Sequence, residues 1–386
     1  MIKNSKNKLC FIQYNLGATS ETFLTRHIEL LKSDFDIYCI TGKVWNSNIL
    51  SPEYVFNYTE QSTLCKFTNA LKKKIRRTSF DYSNNILRFL RQIKPDLIVF
   101  QFAFLPVLLE KELKKINQPY IVIHHGTDIN RAVEDKIYHR KLKKVWQYAT
   151  KAIFISEFLQ KKANELKCPM DKSINIPLGV PLNCKDSLAE STDTECFSIL
   201  SVGRLVPVKN HSFLIKAFSI FCLTHPNSQL YIIGDGPEKE RLNALIKKHK
   251  LNDKVTLLGN MPFEQVKKHI AQCDVCCLVS KKIVNKGVLQ EEGLGLTLLE
   301  AASFKKPLIG TNSGGIPEIV INNKTGILVE VDDINELSNG FEYLSKNSNE
   351  RIRMGENAFN HAIENYGQTK QIIQYKKLYN KIIINN

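Results

Sequence analysis

No apolar run in the 386 residues approaches the roughly 18 consecutive positions that a bilayer-spanning helix needs. The basic start MIKNSKNK is followed by LCFIQY, which is too short for the apolar region of a secretory signal. It breaks at Asn15 and Gly17 with no small-residue cleavage site, so it reads as a first buried strand. The expectation is a chain that starts near Met1 and stays in the cytoplasm. Low-complexity tracts are lacking too, and 43% hydrophobic with 24% charged residues suits a globular protein with material for two ordinary domains. Zinc-site spacing is absent: of ten cysteines, Cys273 and Cys276 make one C-x-x-C, with no second pair and no histidines at set spacing. Cys10, Cys39, Cys222, Cys276 and Cys277 sit in apolar segments, where a thiol acts as a small hydrophobe. The dinucleotide fingerprint G-x-G-x-x-G is also missing. Gly234-Asp235-Gly236-Pro237 lacks the third glycine and nothing near Gly17 supplies one, which excludes a nicotinamide or flavin oxidoreductase. No helix-turn-helix or zinc-finger pattern appears, so nucleic acid is not an expected partner.

What the chain does have is charge of one sign, unevenly placed. Its formal net charge is +16. Residues 1–185 hold 30 Lys and Arg against 16 Asp and Glu, giving +14, while residues 186–386 hold 24 against 22, giving +2. The runs Lys72, Lys73, Lys74, Arg76, Arg77 and Arg140, Lys141, Lys143, Lys144 make a cationic face in the N-terminal half. Such a face suits an anionic membrane surface or nucleic acid, and it is equally an ordinary solvated surface.

Short apolar strands alternate with longer amphipathic segments throughout. KLCFIQYN, DIYCIT, DLIVFQ and YIVIHHG form a first set of strands, and FSILSVGR, QLYIIGDG, KVTLLGN, VCCLVS and KPLIGTN a second. This alternation predicts α/β architecture, with two Rossmann-like parallel-sheet domains. The polar, aperiodic residues 185–195 read as the linker, so the domains are expected at 1–185 and 196–367, with 368–386 a final helix that crosses back to the first. Ligands of such sheets bind at the carboxyl ends of the strands, and the cleft between two domains is the default site. Gly17, His124-His125-Gly126, Gly203-Arg204 and Gly234-Asp235-Gly236 all fall at such strand ends.

Two segments carry candidate chemistry. In Gly203-Arg204-Leu205-Val206-Pro207-Val208-Lys209, two cations five residues apart follow a strand, suited to a diphosphate that gains charge as it leaves. They are also simply two surface cations. In Glu291-Glu292-Gly293-Leu294-Gly295-Leu296-Thr297-Leu298-Leu299-Glu300, two glycines precede a helix expected to start near Thr297. Carboxylates there can accept hydrogen bonds from sugar hydroxyls, or merely complement the helix dipole.

As a set, G-R-x4-K, G-D-G-P, E-x7-E and G-G-I-P-E occur in order at Gly203–Lys209, Gly234–Pro237, Glu292–Glu300 and Gly314–Glu318. This pattern resembles the GT-B retaining glycosyltransferases of family 4, the glycosyl transferases group 1. Ser20-Glu21-Thr22-Phe23, His125-Gly126-Thr127-Asp128, Ser156-Glu157-Phe158 and Ile176–Pro181 are similar to the members that assemble colanic acid, related exopolysaccharides and lipopolysaccharide. The resemblance implies a UDP- or GDP-sugar donor, a glycan or lipid-linked acceptor and no metal cofactor, and the basic N-terminal half adds the expectation of peripheral contact with the inner face of the cytoplasmic membrane. It implies that Arg204 and Lys209 bind the donor diphosphate, Glu300 the ribose and Glu292 the sugar hydroxyls. The backbone of Gly295, Leu296 and Thr297 would approach sugar and phosphate, with the base near Asn260-Met261. His125 would contact the sugar near the reacting carbon, and Gly17 would let the first loop close over the phosphates.

Two departures stand out: Asn210 replaces the family's usual glycine after the lysine, and a lysine-bearing stretch, 281–290, reads as a mobile loop before Glu291. Asp34-Phe35-Asp36 spells the D-x-D of metal-dependent glycosyltransferases, but reads as a turn into the strand IYCIT. A sugar-nucleotide epimerase or hydrolase on the same fold would need an acid/base pair that cannot be assigned here. A non-catalytic basic binding protein would leave the ordered motifs without a purpose. Catalysis is expected to rest on His125, Glu292, Arg204 and Lys209, with His125 the one candidate base.

Overall fold

The structure is a computed structural model and describes residues 6–18, 21–59, 80–181, 196–285 and 287–386. The basic run Lys72–Arg77, Ser20, the 185–195 linker and Lys286 lie outside the described residues. The chain forms two compact units: unit 1 is residues 1–155, 160–176 and 372–386, and unit 2 is residues 156–159 and 177–371. The division falls before residue 185 because Val180 is tied to unit 2, donating its N–H to Tyr366 O at 2.9 Å and accepting from Gln368 N at 3.1 Å.

Unit 1 is built on seven strands: β1 (Lys8–Leu16), β2 (Asp36–Val44), β3 (Val55–Asn57), β4 (Leu97–Gln101), β5 (Tyr120–His124), β6 (Lys151–Phe154) and β7 (Ser173–Asn175). They pair in parallel in the order β3-β2-β1-β4-β5-β6-β7. Every residue of LIVFQ and YIVIH, the central strands β4 and β5, is buried, as a sheet covered on both faces requires. Strands β3, β6 and β7 are three or four residues long, too short for an apolar pattern to reveal them. The helix Lys136–Tyr148 starts where the Asp135 side chain accepts from Ile137 N and Tyr138 N. It buries Tyr138, Leu142, Val145 and Trp146 at helical spacing, while Arg140, Lys143 and Lys144 remain exposed. Asp34 lies in a turn that ends where β2 begins, and its carboxylate pairs with Lys376 at 2.6 Å.

Unit 2 repeats the plan with β8 (Phe197–Val202), β9 (Ser228–Ile233), β10 (Val255–Gly259), β11 (Val275–Leu278), β14 (Leu308–Thr311) and β15 (Gly326–Val329), ordered β10-β9-β8-β11-β14-β15 and all parallel. The doubly wound α/β architecture expected from the alternation is therefore present twice. Residues 281–290 are not a loop: β12 (Ile283–Asn285) and β13 (Val288–Gln290) form an antiparallel hairpin. β-Branched Ile283, Val284 and Val288 favour strands, and Gly287 at φ +72° reverses the chain. In each sheet the order reverses beside the first strand, between β1 and β4 and between β8 and β11. The crevice outside those strand ends is where such folds bind ligands.

Candidate active site

In unit 2, β8 ends at Val202 and the chain passes through Gly203 and Arg204 into a short turn, Pro207–Lys209. Lys209 Nζ lies 2.6 Å from Glu292 Oε2, and both side chains are mostly shielded, at 15% and 16% exposure. Ser280 Oγ, at the end of the β11 segment, donates to the same carboxylate oxygen at 3.0 Å. Ser280 is itself pinned, its carbonyl accepting from Thr311 Oγ1 at 2.5 Å. Burial pushes the Glu292 carboxyl up. The Lys209 charge and hydrogen bond, the bond from Ser280 and the Arg204 charge outweigh it and hold the group below its ordinary value. Arg204 is exposed, so it adds positive potential here without being used up in burial.

Asn210 occupies the left-handed region at φ +55°, which explains why glycine suits this position and why asparagine can replace it. Its Nδ2 donates to Asp332 Oδ1 at 2.9 Å, and Lys281 Nζ pairs with Asp332 at 3.0 Å. This small cluster holds the end of the Lys209 turn.

The loop carrying Glu292 lies directly on the G-G-I-P-E segment. Gly315 N donates to Glu292 O at 3.1 Å, and a Cβ on Gly314 would sit 2.2 Å from that same oxygen. Ser156 Oγ donates to Gly293 O at 2.6 Å. The final glutamate of the motif, Glu318, accepts from Glu157 N at 3.0 Å and Phe158 N at 2.7 Å, so it serves a helix start. Gly295, at φ +96°, leads into the helix Leu296–Ala302. Leu296 and Thr297 are half-buried in its first turn, and Glu300 is buried in its second. Met261 is half-buried in the connection between β10 and the helix Phe263–Gln272.

In unit 1, β5 ends in two histidines with different surroundings. His124 is fully buried: Trp146 Nε1 donates to its Nε2 at 3.0 Å, and its Nδ1 lies 2.7 Å from Asp128 Oδ2. Indole only donates, so His124 carries its proton on Nδ1, toward Asp128. Asp128 also accepts from Ala103 N at 2.9 Å and Gly126 N at 3.2 Å, which fixes the turn that carries His125. His125 packs between Phe102 and Phe23, with ring centroids at 4.5 and 4.9 Å, and its Nε2 meets Gln101 Oε1 at 2.9 Å. Burial drives its pKa from 6.5 down to about 3, with Asp128 opposing and His124 adding to the shift. Gly17 follows β1 at φ +79°, and a Cβ there would lie 2.6 Å from Asn46 Cβ. Local packing alone thus requires glycine at this position.

The structure brings Lys209, Glu292 and the Arg204 charge together, with Gly295, Leu296, Thr297 and Glu300 following along the chain. Met261 stands on a separate connection, and Gly17 and His125 belong to unit 1. Ser280 and Gln101 escaped the sequence reading. Each is a polar residue at the carboxyl end of an apolar strand, a signal that was present but shared with many positions. Among the described residues no group of histidine, cysteine and acidic side chains could hold a metal ion. Cys273 and Cys276 are free, buried thiols.

Residues 187–361 match the family described as glycosyl transferases group 1. Among curated proteins, the chain is 30% identical over 185 residues to N-acetyl-alpha-D-glucosaminyl L-malate synthase of Bacillus anthracis, covering 48% of this chain and 45% of that protein. It is 26% identical over 250 residues to the amylovoran biosynthesis glycosyltransferase AmsK of Erwinia amylovora, covering 63% of this chain and 60% of that one. These matches span about half the length of each relative. Among solved structures, HepE of Anabaena, in complex with UDP, superposes with a TM-score of 0.78 at 16% identity, covering 97% of this chain and all 100% of that one. At that identity the likeness shows the fold, which is the GT-B arrangement of two α/β units. Within this fold, the segment 187–361 is a glycosyl transferases group 1 domain.

Proposed function

We propose that the protein transfers a sugar from a nucleoside-diphosphate donor, a UDP- or GDP-sugar, to a glycan or lipid-linked acceptor. Transfer proceeds with retention of anomeric configuration and without a metal ion, in the building of a surface polysaccharide such as exopolysaccharide, capsule or lipopolysaccharide. The observation that carries the reading is the Lys209–Glu292 pair under Ser280, beside Arg204, at the strand-order reversal of unit 2. The family match and the relative named for amylovoran biosynthesis support it further.

On this reading Arg204 and Lys209 neutralise the diphosphate as the bond from the anomeric carbon to its phosphate oxygen breaks. The acceptor hydroxyl attacks from the face the phosphate leaves, and its proton passes to the departing phosphate oxygen. Glu292 holds sugar hydroxyls, Glu300 the ribose, and Gly295–Thr297 approach sugar and phosphate through their backbone. Met261 lies near the base, Gly17 shapes the first loop, and His125 contacts the sugar near the reacting carbon.

The test is a thermal-shift series with UDP, GDP, ADP, CDP and their common sugars. One nucleotide should stabilise the protein selectively, by about 2.7 kcal/mol at a hundred times its Kd, and Lys209→Ala should abolish the shift. If no nucleotide shifts the transition at millimolar concentration, the reading fails.

We propose also that the basic N-terminal half touches an anionic membrane, where a lipid-linked acceptor is presented. Exposed Arg140, Lys143 and Lys144 support this. No described helix is long and apolar enough to cross a membrane. The protein should pellet with anionic but not with neutral vesicles and be released by salt. Pelleting that ignores lipid charge would remove the proposal.

A further inference from the structure

His125 stands at one end of a hydrogen-bonded chain that leaves its second ring nitrogen bare. Its Nε2 is 2.9 Å from Gln101 Oε1, and Gln101 Nε2 is 3.4 Å from His27 Nδ1. His27 Nε2 is in turn 3.3 Å from Tyr379 Oη, on the C-terminal helix Gln368–Ile384. All four residues belong to unit 1. The Gln101 amide has one accepting end and one donating end, so it couples the tautomers of the two histidines. With Oε1 toward His125, that ring carries its proton on Nε2. His27 then accepts from the amide on Nδ1 and passes its own Nε2–H to Tyr379.

The reverse polarity is the alternative. Tyr379 would donate to His27, His27 Nδ1–H to Gln101, and the Gln101 amide to His125 Nε2. His125 would then carry its proton on Nδ1. That nitrogen is buried and has no partner among the described residues. An idle buried lone pair is a smaller defect than a buried N–H with nothing to receive it, so the first polarity is favoured.

The chain has little room to rearrange. Gln101 is 1% exposed and Tyr379 fully buried. The His27 ring packs on Phe11 at 5.4 Å and Tyr375 at 4.3 Å, while Phe23 and Phe102 flank His125. Burial holds both histidines down to about 3, so both rings are neutral near pH 7 and the chain stays uncharged.

We propose that Gln101, itself held by His27 and Tyr379, is the positioning residue of His125: it fixes the Nε2–H tautomer so that Nδ1 offers a lone pair to a hydroxyl of the bound sugar. The inference rests on the reading of His125 as a sugar contact given above.

The test uses the full chain with 15N-labelled histidine and no ligand, its ring tautomers read from two-bond 15N–1H correlations. The His125 signals are identified by their loss in His125→Asn. Wild-type His125 should show the Nε2–H tautomer alone. Gln101→Leu should turn it into a mixture. Gln101→Glu, whose ionised carboxylate can only accept, should restore the single Nε2–H form. With the donor found by thermal shift, Gln101→Leu should lower kcat on the order of ten-fold, the scale for a group that orients rather than touches. Donor KM should move by less than about two-fold, and the glutamate variant should recover part of kcat. A wild-type Nδ1–H tautomer, or a single unchanged tautomer in Gln101→Leu, overturns the proposal. Should Gln101→Leu fail to fold, Tyr379→Phe removes only the hydroxyl: it should shift the His27 signals, and unchanged signals count against the chain. Because the spectra need no substrate, failure of nucleotide binding would sink the functional reading and leave the tautomer result intact.

Discussion

Gly314 shows how a motif residue without a side chain can decide the site. Its φ of +60° already disfavours a side chain, and a Cβ would press on the Glu292 carbonyl at 2.2 Å. Gly314→Ala must therefore push the Glu292 loop away from Lys209 or strain the turn, at a cost of about 1–3 kcal/mol. The expected outcome is a lowered Tm together with loss of the nucleotide-induced shift, measured in one thermal-shift series. A variant that keeps both would mean that the loop yields without moving the carboxylate. Asn210 makes the complementary point. Its identity departs from the family's usual glycine, but its left-handed backbone does not, and the Asp332 contact supplies the hold. Sequence reading could flag the departure; only the dihedral angle explains why it is tolerated.

At the scale of elements, the C-terminal helix Gln368–Ile384 joins unit 1 from residue 372 onward. It buries Ile372, Tyr375, Tyr379 and Ile382 at helical spacing, each worth about 1.5–3 kcal/mol. Both tryptophans of the chain, Trp45 and Trp146, lie in unit 1, so their emission reports that unit alone. A chain ended at Gln371 should show its tryptophan transition at a much lower temperature than the full chain. An unchanged transition would show that the helix contributes little to unit 1. The same helix was visible in the sequence as a periodic segment, whereas its pairing of Lys376 with Asp34 and of Tyr379 with His27 was not. The 281–290 hairpin is the opposite case. Its β-branched residues favour strand and its three lysines favour an exposed loop, and strand pairing over three residues is set by neighbours rather than by pattern.

For the whole molecule, acid sensitivity follows from buried histidines in both units. Burial holds His27, His125 and His211 down to about 3 from the ordinary 6.5, with the Lys209 charge adding to the shift at His211. Below pH 6.5 the unfolded chain takes up protons that the folded chain refuses. Stability therefore falls as pH drops from 6.5 toward 3 and is unaffected by these groups above 6.5. His211 is 1% exposed, and both of its ring nitrogens lack a partner among the described residues. His211→Phe should thus flatten the decline by about 1.4 kcal/mol per pH unit, seen by comparing urea midpoints at pH 5 and pH 8. An equal change at both pH values would mean that His211 titrates normally in the folded state.

Alternating apolar strands and amphipathic segments, by themselves, determined a doubly wound α/β chain with two sheets, because burial on both faces of a parallel sheet writes itself as short continuous apolar runs. The order of Arg204, Lys209, Glu292 and Glu300 pointed to one family because glycines and charges at strand ends are local requirements. Only tertiary structure decided that Lys209 rests on Glu292 across 83 residues, that Ser280 holds that carboxylate, and that Gln101 and Tyr379 stand behind His125. Lys209 and Ser280 follow strands that the sheet order makes neighbours, β8 and β11, while Tyr379 reaches unit 1 from the C-terminal helix; both placements depend on how the elements assemble rather than on any one segment's pattern.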